Sequence, residues 1–170
     1  MKLQFLGCGD AFGAGGRFNT CFMVDTADTR FLIDCGATSL VAMNRFGVDP
    51  DSVDYILLTH LHGDHYGGVP FVLVHAHSFS KRERPLLIAG PRTTERRVME
   101  ALESLYPGSS KNEWRFNLEF QEFELEKEWQ SGSVSVVSYQ AAHSAGEGPA
   151  LALRITVDGK TVTYSGDGGW

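Results

Sequence analysis

Long apolar runs, an excess of basic residues and paired cysteines are all missing from this 170-residue chain. The longest apolar runs are far too short to span a bilayer, which argues against a membrane protein. Fifteen basic and 21 acidic residues give a formal net charge of −6, so there is no global attraction to nucleic acid. The three cysteines (Cys8, Cys21 and Cys35) are odd in number and widely spaced. That pattern argues against a disulfide framework and for a reducing compartment.

A secretory signal is not visible either, since Met1 to Leu6 runs straight into strand-like alternation with no small-residue cleavage site. The composition, 42% hydrophobic and 21% charged, is ordinary for a soluble globular protein. A chain of this length is enough for one domain with its own core. We therefore predict a single cytoplasmic domain over residues 1–170.

The glycine-rich segment from Gly13 to Thr20 lacks the Gly-Lys-Ser/Thr ending of a phosphate-binding P-loop. It also precedes a predicted strand, Cys21 to Asp25, rather than a helix. A nucleotide-binding P-loop or Rossmann interpretation is therefore weak.

What the sequence does contain is a dense histidine segment. Three of its six histidines lie between Thr59 and His65, directly after the apolar, strand-like run from Val53 to Leu58. In extended backbone His60 and His62 point the same way, and after the turn at Gly63 the chain presents Asp64 and His65 to a second position. Imidazole and carboxylate ligands suit zinc, and also manganese or iron. The alternative is a polar surface loop.

The pattern His-x-His-x-Asp-His after an apolar strand resembles the metallo-β-lactamase superfamily of dinuclear metal hydrolases. Its later histidine matches His143, after the alternating run 134–139, and its bridging aspartate matches Asp167 in Tyr164-Ser165-Gly166-Asp167. The family's last histidine has no match in this sequence, so we expect a domain truncated at its C-terminus. The resemblance implies an αββα sandwich whose second sheet is incomplete.

The resemblance also implies the role of each ligand. His60, His62 and His143 would hold one divalent ion, Asp64 and His65 would contribute to the other, and Asp167 would bridge both. The resemblance favours zinc for both ions, which would generate a bridging hydroxide for hydrolysis. Asp64 and Asp167 are the predicted catalytic residues. Asp34, at the end of the strand 30–33, would brace the metal loop from behind rather than serve only as a turn residue.

Within that superfamily the opening segment looks like the tRNase Z and phosphodiesterase branch, where a glycine turn and an Asn-Thr pair (here Asn19-Thr20) precede the second strand. Only 24 positions lead from His143 to Asp167, too few for the projecting tRNA-binding arm. We therefore expect a small phosphodiester substrate rather than tRNA. Two alternatives remain open. One is an ester, thioester or lactone hydrolase of the same superfamily. The other is a non-catalytic metal-binding fragment or subunit, completed by a homo-oligomer or a complementing C-terminal segment.

The remaining patterns predict alternating strands and helices early in the chain and strands later. Helices are expected at 38–46 and 93–106, and a hairpin is expected around Asp158-Gly159, between strands 150–157 and 161–164. The apolar run after the histidine segment has helical length if it continues to Ser78. His75 and His77 in that run are expected to be surface or substrate-side imidazoles rather than ligands.

Overall fold

The computed structural model describes residues 1–169, which form ten strands and four α-helices. The strands are β1 (Lys2–Gly7), β2 (Cys21–Asp25), β3 (Arg30–Ile33), β4 (Tyr55–Leu57), β5 (Leu86–Gly90), β6 (Leu118–Glu122), β7 (Glu128–Ser131), β8 (Val134–Gln140), β9 (Leu151–Val157) and β10 (Lys160–Tyr164). The helices are α1 (Ser39–Arg45), α2 (Gly63–Tyr66), α3 (Val69–Val74) and α4 (Thr94–Leu105). A π-helical turn, His75–Ser80, continues α3.

The strands form two sheets. The first has the order β1-β2-β3-β4-β5-β6, antiparallel through β3 and parallel from β3 to β6. The second has the order β10-β9-β8-β7 and is antiparallel throughout. No helix within residues 1–169 has both the length and the apolar character needed to cross a membrane.

Two apolar cores separate three layers. One lies between the six-stranded sheet and the helices, with Met43, Leu73 and Leu102 as buried helix contributions. The other lies between the two sheets. Successive residues of β3 and β5 alternate between these cores, so both faces of the central strands are buried. This explains their uninterrupted apolar sequences, whereas β8 and β9 bury only alternate residues.

Strand direction brings the polar loops together. β1, β3 and β4 run the same way, so the segments that follow them emerge at one edge of the first sheet. β8 and β10 also run the same way, so His143 and Asp167 follow strands that end at one edge of the second sheet. The histidine segment thus lies where the ends of several strands converge, as is usual for sites on α/β sheets.

The predicted elements agree with the structure in type and differ mainly at their ends. The hairpin turn at Asp158 and Gly159 has positive φ at both residues, 52° and 66°, as a type I′ turn requires. The sequence interpretation missed β7, which has only four residues, two of them exposed and polar. It also missed α2, a single helical turn inside the histidine segment.

Two glycines allow the loop after β3 to touch the histidine segment. A Cβ on Gly36 would lie 2.1 Å from the Asp64 carbonyl oxygen and 2.4 Å from the Asn19 Cβ. A Cβ on Gly68 would lie 2.2 Å from the Gly36 carbonyl oxygen. These separations are far shorter than van der Waals contact distances, so any side chain here pushes the backbone segments apart.

We expect Gly36→Ala to destabilise the fold by about 1–3 kcal/mol, or more, because the clash is with backbone rather than with a mobile side chain. The melting temperature measured by calorimetry or circular dichroism should fall by several degrees.

Gly63→Ala is the matched control. Gly63 lies in the histidine segment that Gly36 approaches, but a Cβ there meets nothing within 4 Å. Alanine at this first position of α2 should leave the melting temperature unchanged or raise it slightly. Equal melting temperatures for the two variants would show that the close approach at Gly36 does not constrain the fold.

Candidate metal centre

Three imidazoles from two separate strand ends meet at the first cluster. His60 and His62 follow β4, and His143 follows β8. One ring nitrogen from each of the three lies within 4.8 Å of the other two. His143 Nε2 lies 3.1 Å from His62 Nδ1, although 81 positions separate the two residues in the chain. Such a set of converging nitrogens is a ligand arrangement for a transition-metal ion.

A second cluster shares one of these imidazoles. His60, His65 and Asp167 also have ligand atoms within 4.8 Å of one another. His65 Nε2 lies 3.1 Å from Asp167 Oδ1 and 3.5 Å from Asp64 Oδ2. The two clusters are therefore adjacent, and His60 is common to both.

A buried carboxylate supports the second cluster from behind. Asp34 is fully buried directly after β3, in left-handed backbone with φ of 57°. It accepts hydrogen bonds from the Thr59 amide at 2.8 Å and from the Thr59 hydroxyl, whose oxygen lies 2.8 Å from Oδ2. His65 Nδ1 lies 2.7 Å from Asp34 Oδ2. Asp34 therefore holds the residue before the first histidine as well as the last histidine of the segment.

This network sets the tautomers of two histidines. A carboxylate only accepts, so His65 Nδ1 carries a proton. Its Nε2 faces the carboxylates of Asp167 and Asp64, and an ion bound between them would take the lone pair of Nε2. The Thr59 hydroxyl gives its proton to Asp34, so its oxygen accepts from His60 Nδ1, 3.1 Å away. The lone pair on His60 Nε2 is then free, and this buried atom has no hydrogen-bond partner among the described residues.

The electrostatics differ between the two histidines. Burial and the three neighbouring imidazoles lower the pKa of His60 to about 3, so this ring is neutral at physiological pH. Burial lowers the pKa of His65, but the hydrogen bond and charge of Asp34 outweigh it and raise that pKa overall. Burial raises the pKa of Asp34, and the hydrogen bonds from His65 and Thr59 oppose that shift.

These donors fit divalent metal ions. An unpartnered imidazole nitrogen in a buried position costs free energy unless something binds it, and a metal ion satisfies it directly. The outer hydrogen bond from His65 to a carboxylate is the arrangement that metal-ligating histidines adopt. The donor set, imidazole with carboxylate and no thiolate, suits zinc, manganese or iron.

Each predicted ligand lies at this site. Asp64 is the least closely associated, since its carboxylate contacts His65 but belongs to neither cluster. His75 and His77, predicted not to be ligands, lie in the π-helical turn and in neither cluster. The sequence interpretation gave no role to Thr59, although a hydroxyl residue directly before the first histidine of the segment was a usable signal.

A cavity of about 350 Å³ opens beside the second cluster. Asp64, His65 and Asp167 line it together with residues of the loop after β1. A larger cavity of about 700 Å³ lies between Arg92, Arg96 and Glu147. That larger cavity contains no histidine, so the chemistry of the lining, rather than cavity size, identifies the candidate centre.

Asp34→Asn should remove the proton from His65 Nδ1. Asparagine tolerates the left-handed backbone, but an amide NH₂ facing Nδ1 would donate to it and leave the ring protonated only at Nε2. Long-range ¹⁵N–¹H spectra of the metal-free protein should show this change.

Asp54→Asn is the matched control for that spectrum. Asp54 is also hydrogen-bonded, to the Arg30 amide and the Arg84 guanidinium, but it contacts none of these histidines. The variant should leave the His65 signals unchanged. An unaltered His65 tautomer in Asp34→Asn would contradict the proposed role of Asp34.

Comparison with known proteins places this arrangement in a family. Residues 1–169 match the family model described as Anti-Pycsar protein Apyc1. A protein of that name from Paenibacillus sp. (strain J14) is 36% identical over 95 residues, which cover 56% of this chain and 38% of that protein. Ribonuclease Z of Methanococcus maripaludis (strain C7) is 32% identical over 153 residues, covering 89% of this chain and 47% of the relative. The chain thus spans less than half the length of these relatives.

Among solved structures, the short form of human tRNase Z superimposes with a TM-score of 0.79 at 21% identity. The match covers 98% of this chain and 69% of the human one. This likeness confirms the predicted metallo-β-lactamase fold class. Since the family model matches nearly every residue, the chain belongs to the Anti-Pycsar protein Apyc1 family, with the metallo-β-lactamase fold that it shares with tRNase Z.

Proposed function

We propose that this chain carries a dinuclear metal centre that hydrolyses a phosphodiester. The observation that carries the proposal is the buried Nε2 of His60, a lone pair without a protein partner at the point shared by two ligand clusters. His60, His62 and His143 would hold one divalent ion. Asp64 and His65 would hold the other, with Asp167 between the two.

Bound divalent ions supply Lewis acidity and lower the pKa of water toward neutrality, which gives a nucleophile at physiological pH. The chain's own residues do the remaining work. Asp34 and Thr59 hold two imidazoles in the tautomers that leave Nε2 free. Asp64 lines the cavity beside His65, and in this proposal it would accept a proton from the attacking water.

The choice of a phosphodiester is supported by the relatives. Several curated proteins between 32% and 37% identical to parts of this chain are named ribonuclease Z, and a ribonuclease cleaves phosphodiesters. The imidazole and carboxylate donors also suit this chemistry, because a pair of divalent ions stabilises charge on both the attacking and the leaving oxygen. A small substrate fits the cavity of about 350 Å³ beside the second cluster.

Asp167→Ala should abolish hydrolysis of bis-p-nitrophenyl phosphate while leaving the fold intact. The carboxylate is 41% exposed and contacts His65, so its loss removes little packing. We expect turnover to fall by more than about 100-fold, since even outer-shell substitutions at metal sites cost roughly 10–100-fold. Release of p-nitrophenol should be followed with zinc and manganese each in excess.

Asp28→Ala is the control, because Asp28 is an exposed residue in the turn between β2 and β3, at the opposite end of β3 from Asp34. It should leave both turnover and melting temperature unchanged. Unchanged turnover in Asp167→Ala would remove Asp167 from the mechanism. Hydrolysis of thioesters or lactones but never of phosphodiesters would instead establish the ester-hydrolase alternative.

The two ions should be held with unequal strength. The first cluster offers three imidazoles, whereas within residues 1–169 the second has His65 with the carboxylates of Asp64 and Asp167. Stepwise dialysis against a chelator, followed by elemental analysis, should give a plateau at one ion per chain before all metal is lost.

Two single-histidine variants show which cluster holds the ion that remains at that plateau. His65→Ala should retain the firmly bound ion, whereas His143→Ala should lose it at a lower chelator concentration. Simultaneous loss of both ions from the wild-type protein, or the same retention by both variants, would contradict the assignment.

A further inference from the structure

The loop that faces the candidate centre presents one aromatic side chain to solvent. This loop, residues 8–19 and here called the glycine loop, follows β1 and contains Phe12, which is 94% exposed. Phe12 is the most exposed of the large apolar side chains in the described residues. Burying a phenylalanine side chain is favourable, and the fold leaves the Phe12 side chain in solvent.

The position of Phe12 is held by a network of hydrogen bonds. The Asp10 carboxylate accepts from the Phe12 amide at 3.0 Å and from the Ala14 amide at 3.1 Å, which closes the turn around Phe12. Asn19 Nδ2 donates to the Asp10 carbonyl at 2.8 Å. Asn19 is itself held by Thr38, whose hydroxyl oxygen accepts from the Asn19 amide at 2.7 Å. The turn is therefore tied to the start of α1.

Phe12 also lies on the wall of the cavity at the candidate centre. The cavity of about 350 Å³ is bounded by Phe12, with its neighbours in the glycine loop, and by Asp64, His65 and Asp167. A molecule bound at the carboxylates would therefore share this cavity with Phe12. An aromatic face in this position favours a flat, apolar group on the substrate, because offset stacking buries both rings.

We propose that Phe12 is a specificity residue whose ring packs against an aromatic ring on the ester group of the substrate. The phosphate would lie at the Asp64, His65 and Asp167 side of the cavity, and the ring on the glycine-loop side. This inference rests on the proposed phosphodiester hydrolysis and adds a preference between substrates. It explains the exposure of Phe12 by contact with the substrate rather than by a role in folding.

The test compares two substrates with the same leaving group. Bis-p-nitrophenyl phosphate and methyl p-nitrophenyl phosphate both release p-nitrophenol, but only the first keeps an aromatic ring on the remaining ester. The wild-type protein should prefer the first by kcat/KM. Phe12→Ala should reduce that preference by about 5- to 100-fold, the range expected for loss of one stacking contact. Phe12→Trp should retain it.

Phe79→Ala is the matched control. Phe79 is 80% exposed in the π-helical turn and does not line the cavity. It should leave the preference unchanged. If Phe12→Ala slows both substrates equally, or if Phe79→Ala has the same effect, the proposed stacking contact is wrong.

A binding measurement separates this inference from the proposed reaction. Calorimetry of the zinc-loaded protein with phenylphosphonate and with methylphosphonate requires no turnover. Phe12→Ala should weaken binding of the phenyl compound only. If neither phosphodiester is cleaved but this selective loss is seen, the proposed reaction fails and the Phe12 contact stands. A change in sedimentation mass in Phe12→Ala would identify Phe12 as a self-association contact and overturn the proposal.

Discussion

The hydrogen bonds made by the Asp34 carboxylate are the interaction on which the rest of this site depends. Asp34 is fully buried, and its partners are Thr59, directly before the first histidine of the segment, and His65, the last. A buried carboxylate without such partners would cost several kcal/mol, so the network is maintained only while β3 and the histidine segment remain together. The stability of the fold and the orientation of the candidate ligands are therefore coupled through one side chain.

Thr59 extends this coupling to the second sheet. Its amide and hydroxyl donate to Asp34, its hydroxyl oxygen accepts from His60, and its carbonyl accepts from the Leu151 amide at 2.9 Å, at the start of β9. One residue thus connects β3, the histidine segment and the strand that pairs with β8 and β10. Because β8 and β10 lead to His143 and Asp167, the two halves of the site are placed by the same contact.

The candidate site combines buried histidines with exposed residues on the cavity wall. His60 and His65 are buried and held by hydrogen bonds, whereas Asp167 is partly exposed and Phe12 is almost wholly so. Rigid support of the ligands favours a fixed geometry for the chemistry. The exposed glycine loop leaves the opposite wall of the cavity open to contact a bound molecule. Within the superfamily fold, variation in such loops changes the substrate without changing the ligands.

The sequence by itself determined the features that depend on neighbours along the chain. The apolar runs predicted β2 and β3 with their observed bounds, the Asp158-Gly159 pair predicted the hairpin, and two-residue spacing placed His60 beside His62. The resemblance to a known family then supplied His143 and Asp167 as partners.

Only the tertiary structure decided which atoms face one another. His65 and Asp34 are 31 positions apart, and His62 and His143 are 81 apart, so no local pattern reports those contacts. The tautomers of His60 and His65 follow from three-dimensional hydrogen bonding, and so does the free Nε2 of His60. The exposure of Phe12 is likewise a tertiary property, because an apolar residue in a sequence does not reveal whether another segment will cover it.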